Sequence, residues 1–258
     1  MTETIAIFGA TGGTGCEVLS AALEKGYKVR IMVRNPSKVS KGNQDHPNLV
    51  IVKGDFTGTK AIEETVQGAD YVISTVGGPT GKPKDFPVGE ILAFIKELVR
   101  IIQETAPSVK VFLHQAGAFV PHPDGRAHPL SMKFMNKVMG QWLAGIGPNL
   151  IENENIMKYM DSIQSEIKFK TIATRPGGLV KGEGGRKLMA SDDKPPMMFS
   201  AFKDLGVFTV DAIKDESLYG KYPFVVAQPT AGKSFTTTSA IVVAVAVLAG
   251  YMAKYMRN

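Results

Sequence analysis

The apolar positions of this chain follow two rhythms. Short runs of strand length, rich in β-branched residues, cover 4–8, 28–33, 49–53, 71–75, 110–115 and 169–174. Longer stretches at 14–25, 60–67, 88–105 and about 130–165 carry apolar residues at helical spacing. Strand and helix alternating in this way predict an α/β fold, doubly wound, with a mainly parallel sheet covered on both faces. Punctuation agrees, with Gly26 after the first helix and Pro107 after the long one. The segments 77–87 and 119–129, rich in Gly, Pro, Asp and His, follow strand ends on the side where open α/β sheets bind ligands.

Composition narrows the class. The chain has 258 residues, 44% of them hydrophobic and 21% charged, which excludes a disordered chain, a collagen-like repeat and a disulfide-stapled mini-protein. Its single cysteine, Cys16, cannot form an internal disulfide and reads as a small core residue. A reducing, cytosol-facing location is expected, and no basic, apolar leader precedes the first strand. The net charge is +6, yet half of it belongs to Lys233, Lys254 and Arg257 in a tail without acids. Nucleic acid is therefore not expected as a partner, because the body lacks a basic stripe interleaved with aromatics.

The strongest chemical signal is the first strand running through Gly9-Ala10-Thr11-Gly12-Gly13-Thr14-Gly15 into a helix. One glycine permits the tight turn, the next removes a Cβ that would block a pyrophosphate, and the last lets helix and strand pack closely. The helix N-terminus adds free N–H groups and partial positive charge for the phosphates. A dinucleotide site is expected at Gly9, Thr11, Gly12, Gly13, Thr14 and Gly15. The second strand ends without the carboxylate that would hold a ribose 2′-hydroxyl; Arg34 and Lys38 stand there instead, suited to a 2′-phosphate. The expected cofactor is NADP, as NADPH.

Together with Val33-Arg34-Asn35, Gly54-Asp55, Ser74-Thr75-Val76-Gly77, Ala116-Gly117-Ala118 and Arg175-Pro176-Gly177-Gly178-Leu179, this turn resembles the atypical short-chain dehydrogenase/reductases with an NAD(P)H-binding domain. The resemblance includes the biliverdin reductase B and flavin reductase branch and spans roughly residues 3–228. It implies a Rossmann-like fold with Asp55 and Phe56 flanking the adenine. It also implies Thr75, Val76 and Gly77 beside the nicotinamide-side ribose, with Pro176, Gly177 and Leu179 approaching the nicotinamide. From the residues alone, Asp55 is equally suited to capping a turn.

The chain departs from typical short-chain dehydrogenases in its acid-base apparatus. None of the seven tyrosines has a lysine four positions later, and where family members often carry Ser-Ser after the fifth strand this chain reads His114-Gln115. His114 is a candidate proton donor and Gln115 a candidate for orienting a carbonyl; a packed structural histidine and a backbone-bonded glutamine are the alternatives. Hydride transfer to a conjugated acceptor such as a flavin, quinone, tetrapyrrole or enone needs little protein acid. An NADPH-dependent oxidoreductase acting on such a small molecule is expected, with a non-catalytic NADPH sensor or scaffold as the alternative.

Other features carry less. His122, Asp124 and His128 match no zinc spacing, so no metal is expected. Met132, Met135 and Met139 read as packing. The stretch 227–234 imitates a phosphate-binding loop but has neither a following core helix nor a downstream carboxylate. The expected organisation is one domain over 1–228, a linker over 229–239 and a tail over 240–258. Fourteen apolar residues at 240–253 fall short of the roughly 20 of a membrane span. Hydroxyls before them and Tyr251, Lys254 and Tyr255 near their end still suit a C-terminal membrane anchor, against a last buried element or a partner-binding tail.

Overall fold

A computed structural model describes residues 2–78, 88–126, 147–196 and 199–229. Its central sheet contains β1 (Thr4–Phe8), β2 (Lys28–Val33), β3 (Leu49–Lys53), β4 (Tyr71–Ser74), β5 (Val111–Gln115), β6 (Lys170–Pro176), β8 (Leu188–Ser191) and β10 (Phe224–Ala227). The strand order is β3-β2-β1-β4-β5-β6-β10-β8. All neighbours run parallel except β8, which lies antiparallel to β10 at one edge. Two short strands, β7 (Leu179–Val180) and β9 (Ser200–Ala201), pair separately. The chain winds outward from β1 through β2 to β3, then returns to the far side of β1 with β4. The switch point lies between β1 and β4, where this topology places ligands outside the carboxyl ends of the strands.

Alternation along each strand divides the core in two. Ala6, Phe8, Val72, Phe112 and Ala173 face α3 (Thr59–Val66), α4 (Glu90–Thr105) and α5 (Gly147–Ser162). Phe8 meets Phe94 of α4 edge-to-face at 5.3 Å. Ile5, Ile7, Ile31, Ile73, Leu113 and Ile172 face α1 (Gly13–Glu24) and α6 (Phe202–Ala212). A four-residue helix, α2 (Lys41–Gln44), precedes β3.

The six expected strands and the helices α1, α3 and α4 stand where the apolar rhythm put them. Residues 130–146 of the expected fourth helix, with Met132, Met135 and Met139, lie outside the described residues, as do His128 and the tail 240–258. No described helix is long and apolar enough to cross a membrane.

Candidate functional site

The site builds up from the β1–α1 turn. Gly9 has φ +87°, a conformation that L side chains rarely adopt, and a Cβ there would lie 2.8 Å from Thr75 Oγ1. Gly15 is held more tightly, since a Cβ on it would fall 2.0 Å from the Gly9 carbonyl oxygen. At Gly12 the nearest atom to a Cβ is that same carbonyl oxygen at 3.3 Å, so the rest of its surroundings is open. Gly13 is backed by the Phe202 ring at 2.8 Å from an added Cβ, a support from α6 that the sequence did not announce. Gly12 caps α1 without a side-chain hydrogen bond, and no acid stands in the first turn. The first-turn N–H groups therefore face outward with the helix's positive end uncompensated. This is a cradle that any side chain would fill, and it fits a pyrophosphate.

Around the cradle the carboxyl ends of the strands converge. The Thr75 hydroxyl donates to the carbonyl of Phe8 at 3.2 Å, tying the end of β4 to β1. Val76 is buried and Gly77 exposed. Gln115 Nε2 donates to Thr14 Oγ1 at 3.3 Å, joining the end of β5 to the first turn of α1, while Gln115 Oε1 is buried without a partner. The Pro176 carbonyl accepts the N–H of Ala118 at 2.8 Å, drawing Pro176 and Gly177 against the loop after β5. Leu179, in β7, packs against Leu188, Leu205 and Val225. Thr11 lies exposed at the tip of the turn.

The adenine side is looser. Arg34 and Lys38 are exposed beyond β2, Lys38 in the short 3-10 turn Pro36–Lys38. Asp55 accepts from the Thr57 amide at 2.9 Å and the Thr57 hydroxyl at 2.6 Å, so it caps its own turn. Those Thr57 bonds, with a smaller pull from Arg34, hold its carboxyl below the usual carboxylate range. Phe56 packs on Phe94 at 4.5 Å between ring centroids.

The His114 side chain points toward α5. It is fully buried, and that burial pushes its imidazole down to about 4, so the ring is neutral near pH 7. Nε2–H donates to Asn153 Oδ1 at 3.2 Å, and Nδ1 accepts from the Ser74 hydroxyl at 3.4 Å. His114 and Gln115 are consecutive strand residues and point to opposite faces of the sheet, the first toward α5 and the second toward α1. The two side chains expected to share the chemistry therefore cannot meet one substrate group together. Asp124 pairs with Arg126 at 2.7 Å, and its other carboxylate oxygen lies 2.7 Å from His122 Nδ1. Among the described residues no cluster suited to a metal occurs.

Sequence reading missed a polar stripe on α5. Asn149 donates to the carbonyl of Gly78 at 3.3 Å, and Glu152, fully buried, accepts the amides of Gly89 and Leu92 at 2.6 and 2.7 Å. With Asn153 on His114, three side chains at helical spacing brace β4, β5 and the start of α4. Their spacing was readable; their partners, some 40 to 70 residues away, were not.

A sequence profile described as NAD(P)H-binding matches residues 9–216, from the first glycine of the cradle to a point beyond α6. The chain belongs to this NAD(P)H-binding family. Among curated proteins it is similar to the reductase pytE of Aspergillus terreus, with 30% identity over 133 residues, covering 43% of this chain and 51% of that protein. It is also similar to the ketoreductase sphI of Aspergillus fumigatus, with 34% identity over 113 residues, covering 40% of this chain and 32% of that one. The chain thus spans about half the length of the first and about a third of the second. Among solved structures, the anaerobilin reductase ChuY of Escherichia coli shares the fold with a TM-score of 0.64 at 15% identity, over 89% of this chain and all of that one. A short-chain dehydrogenase/reductase of Veillonella parvula in complex with NADP does so with a TM-score of 0.63 at 14% identity, over 92% of this chain and all of that one.

Proposed function

We propose that this family member is an NADPH-dependent oxidoreductase that delivers hydride to a small conjugated acceptor, of the flavin, quinone, tetrapyrrole or enone kind. The observation that carries the reading is the makeup of the cleft at the carboxyl ends of β1, β4, β5 and β6. It combines a glycine cradle with Thr75, Gln115, Pro176 and Gly177, and the imidazole at the end of β5, that of His114, is buried and neutral. When bound, the nicotinamide supplies hydride chemistry, which the protein need only orient. Gly9, Gly12, Gly13, Thr14 and Gly15 hold the pyrophosphate, with Thr11 at the lip. Thr75, Val76 and Gly77 flank the ribose, and Pro176, Gly177 and Leu179 wall the nicotinamide side. Asp55 and Phe56 flank the adenine. Gln115 orients Thr14 and the substrate side of the cleft, and His114 is a positioning residue that sets α5 against β5.

An acceptor whose reduced anion is delocalised takes its proton from solvent, so a cleft that shows no ionisable donor among its described residues suits it. Preference for NADPH over NADH follows from Arg34 and Lys38, two exposed cations where a carboxylate would repel a 2′-phosphate. The reductase names of the curated relatives support the same chemistry. The tail 240–258 is read as a membrane attachment.

The test is NADPH oxidation against a panel of quinones, flavins and linear tetrapyrroles, with calorimetric titration of NADPH alongside. Turnover well above the buffer rate with at least one acceptor is expected. Binding without turnover across the panel assigns the chain to the sensor class, and no binding of either pyridine nucleotide removes both readings.

A further inference from the structure

The last strand of the sheet is not finished like an ordinary edge. The Gln228 amide donates to the Lys187 carbonyl at 2.8 Å. In this antiparallel pair the odd-numbered residues of β8 therefore turn their backbone groups toward β10, while Leu188 and Ala190 turn theirs away. Among the described residues nothing pairs with that outer side. On the helix side the strand opens onto a cleft of about 870 Å³ shared with Lys203 and Val207 of α6. Met189 is 40% exposed and Val207 41%. The strand itself, Leu188-Met189-Ala190-Ser191, contains no charge, proline or bulge, the devices by which solitary edges avoid pairing. Its charges sit only at its ends: Arg186 and Lys187 before it, Asp192 and Asp193 after it, all exposed.

We propose that β8 is a self-association edge, pairing antiparallel with β8 of a second copy of this chain about a two-fold axis at Met189. A two-fold normal to the sheet sets one residue opposite its own counterpart, and the ladder bonds must come from the outward-turned residues. With the axis at Met189, Leu188 of each copy exchanges both backbone hydrogen bonds with Ala190 of the other, and the two Met189 side chains touch. Arg186 then stands opposite the partner's Asp192, and Lys187 lies diagonal to the partner's Asp193. An axis at Ala190 would satisfy the same outward groups but would set Arg186 against the partner's Lys194, a like-charge pair. Opposite charges across strands favour the first register and like charges disfavour the second. The strand is four residues long, so the interface is small and of the weak, reversible kind, sensitive to salt. It lies apart from the nucleotide cradle, and its fate is independent of the proposed activity.

The experiment is sedimentation velocity of the full-length protein over a concentration series at about 50 and about 500 mM salt. A concentration-dependent dimer is expected at low salt, weakened at least threefold at high salt. Two double variants decide the register: Arg186→Asp with Lys187→Asp, and Asp192→Lys with Asp193→Lys. Each alone should remain monomeric, and an equal mixture should restore the dimer, because every charge again faces its opposite. Ala190→Pro, which deletes an outward N–H and no bond to β10, should also give a monomer. A wild-type monomer throughout, a dimer that persists in either double variant alone, or a mixture that stays monomeric overturns the proposal. Association through the apolar tail belongs to the second of these outcomes, since it would ignore the charges on β8.

Discussion

At the scale of single residues, contact distances decide what each side chain tolerates. A methyl on Gly15 would lie 2.0 Å from the Gly9 carbonyl, with backbone on both sides of the clash. Gly15→Ala should therefore cost about 1–3 kcal/mol by overpacking and reduce NADPH affinity at least tenfold, read by thermal melting and calorimetry. Arg34 is proposed above to hold a 2′-phosphate. Arg34→Ser should weaken NADPH by roughly 10-fold or more while leaving NADH within about twofold, because only the former loses a charge-assisted bond; fluorescence titration of both nucleotides checks it. His114 links pH to stability. It titrates at about 4 when folded, against about 6.5 when unfolded. Below pH 6.5 the unfolded chain takes up a proton that the folded ring refuses. This contribution is thus whole above about 6.5 and drains away as pH falls toward 4, by roughly 3 kcal/mol. Urea unfolding at about pH 7.5 and about pH 4.5 should show the slope, and His114→Gln should flatten it.

At the scale of elements, α5 acts as a brace whose strength rests on one carboxylate. Glu152 satisfies two amides at the start of α4 from another helix, and its removal leaves these half-buried groups without their acceptor. Glu152→Ala should destabilise the protein by about 2–4 kcal/mol, measured by denaturant unfolding, whereas Glu152→Gln, which keeps one acceptor, should lose less.

How far the elements were legible in the sequence follows from their physics. The six parallel strands are continuous apolar runs because both faces of the sheet are covered, and such runs announce themselves. Helix α6 did not, since Gly206 interrupts its helical pattern. The structure supplies the reason: a Cβ at 206 would meet the Glu17 backbone of α1 at 2.6 Å, so the glycine is where the two helices touch. Strand β8 escaped notice because four residues with one buried apolar side chain carry no period. In the site, the glycine turn was readable because strand, turn and helix are contiguous. The burial of His114 was not, because its lid, Asn153, is 39 residues away.

At the scale of the whole molecule, the sheet and its two helical layers are built from described residues that end at 229, and the apolar tail is proposed above as a membrane attachment. Deleting 229–258 should move the protein from the membrane pellet to the supernatant while leaving its NADPH affinity unchanged; equal distribution of the two forms removes the anchor reading. The wall behind Gly13 has a further consequence at this scale. Phe202 touches the phosphate turn from nearly 190 positions downstream, so the amino-terminal motif is assembled early in synthesis yet lacks its backing until the last third of the chain has emerged. A ribosome-bound nascent chain stopped before Phe202 would carry every glycine of the turn and should still capture nucleotide poorly, because the wall behind Gly13 has yet to be made.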